Sequence, residues 1–217
     1  MIPQPGRQCY GRMMARTFST AQRTHGPASP RRLTRGEVTL DLNERGALRL
    51  AIVADTHSHP HPNLARWLEA LAPDAIVHAG DIGDVAVLSD LTRHAPVIAV
   101  RGNIDDRASH LPDVMTIDIR SGNSSVMKML LVHIAVYGAK LRADAAKLAA
   151  DAGASLVICG HSHVPFVGRD RGLTVFNPGS IGPRRMHLPI VFGVLEIQSG
   201  KLSLRHVDAG TGQDWNP

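Results

Sequence analysis

Apolar positions in this 217-residue chain fall into short runs separated by polar loops, and their period changes along the chain. Leu48–Ala54 (LRLAIVA) is almost unbroken, the pattern of a strand buried on both faces. Asn63–Ala72 (NLARWLEALA) places Leu64, Trp67, Leu68 and Leu71 at three- and four-residue spacing, which predicts a helix with Asn63 as its N-cap. The alternation continues with a strand over Ala75–Ala79, a helix over Val85–Arg93, for which Asp84 is a cap, and a strand over Pro96–Val100. Val114–Ile119 and Val126–Val132 read as strands joined by a Ser-Gly-Asn-Ser turn. Leu141–Ala152 is rich in Ala, Lys and Leu and predicts a helix. Short strands follow over Leu156–Cys159, Val164–Val167 and Leu173–Phe176. Ile190–Ile197 and Leu202–Val207 close the chain as a hairpin around Ser199-Gly200.

The β-α-β-α-β order of the first half implies parallel strands with right-handed crossovers. The second half is richer in hairpins, which implies antiparallel pairing. Together they predict an α/β fold with a mixed two-sheet core and helices outside.

Residues 1 to about 46 stand apart. They are rich in Arg, Pro, Gly, Ser and Thr and carry no apolar period, so a disordered extension is expected there, with a single domain over 47–217. Met13 and Met14 are alternative starts. An Arg-rich, acid-free stretch also fits an organellar transit peptide, whereas no apolar core of a secretion signal follows the first arginines.

Charge changes the picture less than its total implies. The formal net charge is +5, but residues 1–36 hold seven arginines and no acid, which leaves 17 basic and 19 acidic residues in 37–217. A nearly neutral body argues against specific nucleic-acid binding. No apolar run approaches the ~18 residues of a membrane span. Cys9 and Cys159 lie in contexts that do not predict a disulfide framework, so a reducing, cytoplasmic setting is expected, or an organelle if the extension is a transit peptide.

The chemistry lies at the strand ends. Asp55-x-His57 follows the first strand, Gly80-Asp81 the second, Gly102-Asn103 the third; His133 ends the Val126–Val132 strand, and Gly160-His161-x-His163 follows Leu156–Cys159. Each piece alone has an ordinary explanation, a cap, a turn or a packed histidine. In series they supply oxygen and imidazole ligands in a number that suits two adjacent divalent metals. Asp81, with two carboxylate oxygens, is the candidate bridge. Asp105 is expected to support a ligand from behind. Asn177-Pro178-Gly179-Ser180 reads as a tight turn whose N–H groups or Ser180 could orient a ligand or a metal-binding residue; Ser180, Arg184 and Arg185 are also candidates for substrate contact, Arg being suited to bidentate phosphate binding. His78 is expected to be a packed strand histidine, and His59 and His61 rim residues.

This series resembles the calcineurin-like metallophosphoesterases, whose motifs D-x-H, G-D, G-N-x-D/E, a lone His and G-H-x-H all appear in order over Asp55–His163. It is most similar to the small bacterial phosphodiesterases of that family and to the retromer scaffold subunit that shares their fold. The resemblance implies a four-layer αββα sandwich of two mixed β-sheets flanked by helices. It implies a dinuclear site, one metal on Asp55, His57, Asp81 and His163 and the other on Asp81, Asn103, His133 and His161, with Asp81, Asn103 and His161 counted as catalytic. A hydroxide bridging the two ions would then attack a small phosphoester substrate. The ligand set, without thiolate, favours Mn²⁺, with Zn²⁺, Ni²⁺, Fe²⁺, Mg²⁺ or Co²⁺ as alternatives. The family often self-associates, so a homo-oligomer is also implied.

Two departures narrow the reading. Ile104 stands where many members carry a leaving-group histidine, which points to phosphodiesters or activated esters. Ile134 and Ala135 follow His133 where Gly is usual. Two rivals remain: a scaffold of the same fold that binds protein partners, and an amidohydrolase-like metal hydrolase opening on Asp55-Thr56-His57-Ser58-His59. The second needs a longer barrel and leaves the later motifs without a role.

Overall fold

The computed structural model describes residues 32–216. In chain order the elements are β1 (Arg35–Asp41), β2 (Leu48–Val53), α1 (Leu64–Leu71), β3 (Ala75–His78), α2 (Ala86–Leu91), β4 (Val97–Ala99), β5 (Val114–Ser121), β6 (Ser124–Val132), β7 (Val136–Tyr137), β8 (Lys140–Leu141), α3 (Ala143–Ala152), β9 (Leu156–Ile158), β10 (Phe166–Asp170), β11 (Leu173–Asn177), β12 (Val191–Gln198), β13 (Lys201–Asp208) and β14 (Asp214–Trp215).

Two six-stranded sheets form the centre, in the orders β1-β5-β6-β9-β11-β10 and β14-β13-β12-β2-β3-β4. In the second, β2, β3 and β4 are parallel, and β12 joins β2 antiparallel. In the first, β6, β9 and β11 are parallel, while β5–β6 and β10–β11 are antiparallel. Both sheets are therefore mixed. Their facing sides make the central core, where Leu50, Ile52, Val77 and Leu195 share one cluster with Ile117, Met129, Leu131, Ile158 and Phe176. The outer face of the second sheet carries α1 and α2, through Val53, Ile76 and Val194 against Leu64, Leu68, Val87 and Leu91. The outer face of the first carries α3, through Leu130, Val157 and Val175 against Ala145 and Ala149. The result is the expected αββα sandwich. β3 and β9 lie between layers and are buried throughout, while in β2 and β6 burial becomes continuous only after Arg49 and Lys128; each fully buried Leu or Ile contributes on the order of 1.5–3 kcal/mol, largely offset by chain entropy.

The structure corrects the expected boundary at residue 47. Within the stretch read as a disordered extension, Arg35–Asp41 is a strand that pairs in parallel with β5 along seven residues. Val38, Leu40 and Leu42 pack on the central core. Thr34 fastens its start: its N–H and hydroxyl donate to Asp113 Oδ2 at 2.7 and 2.9 Å, while Arg101 grips the same carboxylate from the other side. The compact unit starts at Leu33. Residues 1–31 of the expected extension, with Cys9, Met13 and Met14, lie outside the described residues.

Smaller differences are local. Leu141 belongs to β8, so α3 begins two residues later than expected, and the strand expected over Val164–Val167 is shifted to Phe166–Asp170. Asn63 sits at the N-cap of α1 but makes no capping bond; its amide donates instead to the Ala209 carbonyl at 3.2 Å. Asp84 does accept from the Ala86 N–H, at 2.9 Å, at the start of α2. Among the described residues, no helix is long and apolar enough to cross a membrane.

Candidate functional site

The loops after β2, β3, β4, β6 and β9 meet at one edge of the sandwich. β2, β3 and β4 run parallel, as do β6 and β9, so their ends fall together. Backbone bonds then knit one loop to the next: Asp55 N–H donates to the Gly80 carbonyl at 2.9 Å, His57 N–H to the Asp81 carbonyl at 3.0 Å, and Gly160 N–H to the His133 carbonyl at 3.0 Å.

The backbone is strained where the chemistry sits. Asp55, His57, Asp81, His161 and His163 all have left-handed φ, between 45° and 68°. For a non-glycine residue this costs on the order of 1–3 kcal/mol each, and such strain persists only when the surroundings enforce it. Glycines make the crowding feasible. A Cβ on Gly102 would overlap the Asp81 carboxylate and backbone nitrogen, and Gly80, at φ +89°, passes against Gly102 and His133.

All seven residues singled out in the sequence are brought together. Asp55, His57 and His163 form one group, and Asp81, His133 and His161 another, with ligand atoms within 4.8 Å of one another in each. Asn103 completes the second: its Oδ1 is 3.0 Å from His133 Nε2 and 2.9 Å from His161 Nδ1. Asp81 lies between the groups. Its Oδ1 is 3.2 Å from His133 Nε2, and its Oδ2 is 3.9 Å from His57 Nε2.

The electrostatics fit cation binding. Burial pushes the Asp55 carboxyl up to about 7, with His133 pulling it down and Asp81 pushing it further up. A wholly buried carboxylate is costly without a positive partner. For Asp81, burial is outweighed by the hydrogen bond and charge of His133, with the Ile104 N–H helping, and the carboxyl is held at about 2. Burial, joined by the charge of Arg185, lowers His57 and takes His163 to about 4; burial and the charge of His133 lower His161. All three imidazoles are thus neutral at neutral pH, the form that ligates.

His133 supplies a direct test of whether a cation suits the site. Its Nδ1 meets the Ala79 carbonyl at 2.7 Å, while its Nε2 faces two acceptors, Asp81 Oδ1 and Asn103 Oδ1. Only a proton or another cation on Nε2 can satisfy both, and its pKa is raised accordingly, Asp81 and Asp55 outweighing burial. The convergent acceptors, with no thiolate among them, fit hard or borderline divalent ions.

Several residues hold these loops in place. Asp105 accepts from Gly102 N–H at 2.7 Å, Ile82 N–H at 3.1 Å and Gly83 N–H at 2.9 Å, so it braces backbone of two loops. For Ser180 the geometry departs from substrate contact and agrees with the orienting role. Its buried hydroxyl donates to the Asp55 carbonyl at 3.0 Å, so it fixes a loop and is not turned toward substrate. Asn177 plays a similar part, donating to the Gly160 carbonyl at 2.8 Å and Ser162 Oγ at 3.1 Å. Of the arginine pair, Arg184 donates to the Leu188 carbonyl in its own loop, while Arg185 Nη2 reaches His57 Nε2 at 3.1 Å. His59 and His61 lie outside both groups.

His78 is wholly buried and links two loops. Gly80 N–H donates to its Nδ1 at 3.2 Å, which puts the proton on Nε2, 3.0 Å from Thr56 Oγ1; Thr56 donates onward to the Ile82 carbonyl at 2.9 Å. A histidine inside an apolar strand needs such partners, and that is the signal by which the sequence exposes it. Burial lowers His78 to about 4, so it is neutral in the fold. The unfolded chain takes up that proton first, near pH 6.5, so this share of stability is complete above pH 6.5 and is lost as pH falls toward 4. The loss is expected to be about 2–4 kcal/mol. Urea unfolding at pH 7 and pH 4 checks it: the pH 7-to-4 loss should shrink by that amount in His78→Gln, and equal losses in both proteins contradict the assignment.

Comparison with known proteins agrees with this geometry. Residues 48–200 match the calcineurin-like phosphoesterase superfamily domain. A probable metallophosphoesterase of Methanothermobacter thermautotrophicus is 30% identical over 168 residues, covering 74% of this chain and 92% of the relative. Among solved structures, a conserved Streptococcus pneumoniae protein, itself a predicted phosphoesterase, is similar with a TM-score of 0.57 and 19% identity, over 78% of this chain and 93% of its own. Entamoeba histolytica Vps29 complexed with zinc is similar with a TM-score of 0.60 and 22% identity, over 77% of this chain and 96% of its own.

Proposed function

The chain belongs to the calcineurin-like phosphoesterase superfamily, and on that premise we propose that it is a dinuclear, metal-dependent phosphodiesterase acting on a small substrate. The observation that carries this reading is Asp81, whose two carboxylate oxygens face His133 and His57, one in each ligand group. Asp55, His57, Asp81 and His163 would hold one divalent ion, and Asp81, Asn103, His133 and His161 the other, with Mn²⁺ the favoured metal for this donor set. Such ions acidify water into an attacking hydroxide at neutral pH and offset phosphoryl charge.

The chain's own residues do the rest. Asp81, Asn103 and His161 form the catalytic centre, and the strained loops keep their donor atoms converged before substrate arrives. Arg185, which reaches His57 Nε2 at 3.1 Å, is the candidate to contact a phosphoryl oxygen. Ile104, 45% exposed beside Asn103, offers no proton to a leaving group. That favours diesters and activated esters over alkyl monoesters. The test uses the full chain with Mn²⁺ and a nitrophenyl phosphodiester. Turnover is expected, and His161→Ala should abolish it; an equal rate in the variant removes the site from the chemistry.

A second reading is a scaffold of the same fold with protein partners. Exposed Ile104, Val164 and Met186 each adjoin a candidate site residue, and such apolar groups suit a protein surface. Binding of two ions without turnover on a broad panel of phosphoesters would favour it.

A further inference from the structure

We propose that Arg185 is a movable cation: it caps the Asp55–His57–His163 group while that position holds no metal, and turns to the phosphoryl group once a metal takes it. The proposal rests on the phosphoesterase reading above. Its first support is a conflict over one atom. Arg185 Nη2 lies 3.1 Å from His57 Nε2. That same nitrogen faces His163 Nε2 at 3.2 Å and Asp81 Oδ2 at 3.9 Å, so it is the atom His57 offers to the group. A guanidinium only donates, so His57 Nε2 accepts through its single in-plane lone pair. One lone pair cannot serve a guanidinium and a metal together. Metal entry therefore requires Arg185 to leave.

The second support is electrostatic placement. The charge of Arg185 acts on Asp55, His57, His161 and His163 alike. Its neighbour Arg184 is instead turned to the Leu188 carbonyl. A positive charge among convergent acceptors does for the metal-free protein part of what a metal would do, and it repels an incoming ion.

The third support is freedom to move. Residues 183–187 are all exposed, and Met186, 82% exposed, sits at φ +49°. Moving this side chain uncovers no core. Its destination follows from chemistry: the planar fork matches two oxygens of a phosphoryl group drawn to the same edge by the ions that the two ligand groups would hold. Metal and phosphate binding should therefore be coupled, each strengthening the other through Arg185.

Calorimetric titration of the metal-stripped full chain with Mn²⁺, and of the Mn²⁺-loaded chain with inorganic phosphate, tests the proposal. Arg185→Ala should bind Mn²⁺ about tenfold more tightly and phosphate about tenfold more weakly than wild type. Arg169→Ala, which removes an exposed charge from β10, should change neither. Arg185→Lys keeps the charge without the fork and should recover only part of the phosphate affinity. Arg185 is exposed and its removal uncovers no core, so the variants should remain folded when metal-free, with at most a small fall in melting temperature. Unchanged or weaker Mn²⁺ binding in Arg185→Ala overturns the capping role, and unchanged phosphate binding overturns the turn toward substrate. Failure of the enzymatic reading looks different: the wild type would show both titrations and hydrolyse no ester.

Discussion

Asp81→Ala is expected to lower kcat/KM toward a nitrophenyl phosphodiester by at least about 1000-fold, a loss of about 4 kcal/mol in transition-state stabilisation. The reason is position. No other described side chain presents one oxygen to each ligand group, with Oδ1 at 3.2 Å from His133 and Oδ2 at 3.9 Å from His57. Removing it takes a ligand from both proposed ions at once and leaves their mutual repulsion unscreened. The backbone at Asp81 has φ +54°, which Asn tolerates better than Ala. Asp81→Asn is therefore the companion variant that spares the fold. It should keep the melting temperature near that of the metal-free wild type and still lose most activity, because a neutral amide bridges two cations poorly. Wild-type kinetics in either variant would remove Asp81 from the centre.

Gly102→Ala should be nearly as damaging, although it adds only a methyl group and removes no ligand. That methyl group would overlap the Asp81 carboxylate and backbone nitrogen. Asp81 cannot simply yield, because its carbonyl receives the His57 N–H at 3.0 Å and its carboxylate the Ile104 N–H at 3.3 Å. The strain must pass into the loops after β2 and β4 together. Overpacking of this kind costs about 1–3 kcal/mol, and a displacement of ~1 Å at a reacting centre costs about 100-fold in rate. Chemical denaturation and steady-state kinetics on the Mn²⁺-loaded protein read the two effects. A variant with wild-type stability and kcat/KM would mean that Gly102 and Asp81 are not in contact.

Much of the fold was legible because β2, β3, β6 and β9 lie between layers. Each apolar run is followed within a few residues by Asp55, Asp81, His133 or His161, and those residues are the ones that converge. The glycines at 80, 102 and 160 marked the same places. β1 was not legible in the same way, although Val38, Leu40 and Leu42 alternate as a half-buried strand should. Arginines crowd its N-terminal side, and its partner β5 lies 79 residues on, as the Thr34–Asp113 bond records. Local pattern cannot report a pairing across that distance. The β7–β8 hairpin is two residues on each side, too short for any period.

Within the site, the residue types were readable but their directions were not. Ser180 read as a turn residue and a candidate for substrate contact, yet its hydroxyl points inward to the Asp55 carbonyl. Arg184 and Arg185 are equivalent as letters, and the turn of the chain decides which reaches His57. His78 was visible as a polar residue in a strand, and Asn177 as the first residue of a turn. What they brace depends on backbone carbonyls and N–H groups, which carry no sequence signature.

The central claim is that loops from both sheets cage a pair of ions across Asp81. Anomalous diffraction from crystals of the full chain soaked in Mn²⁺ measures it directly. The account predicts two peaks, one beside Asp55, His57 and His163 and the other beside Asn103, His133 and His161, with Asp81 touching both. A single peak, or none at this edge of the sandwich, would contradict it.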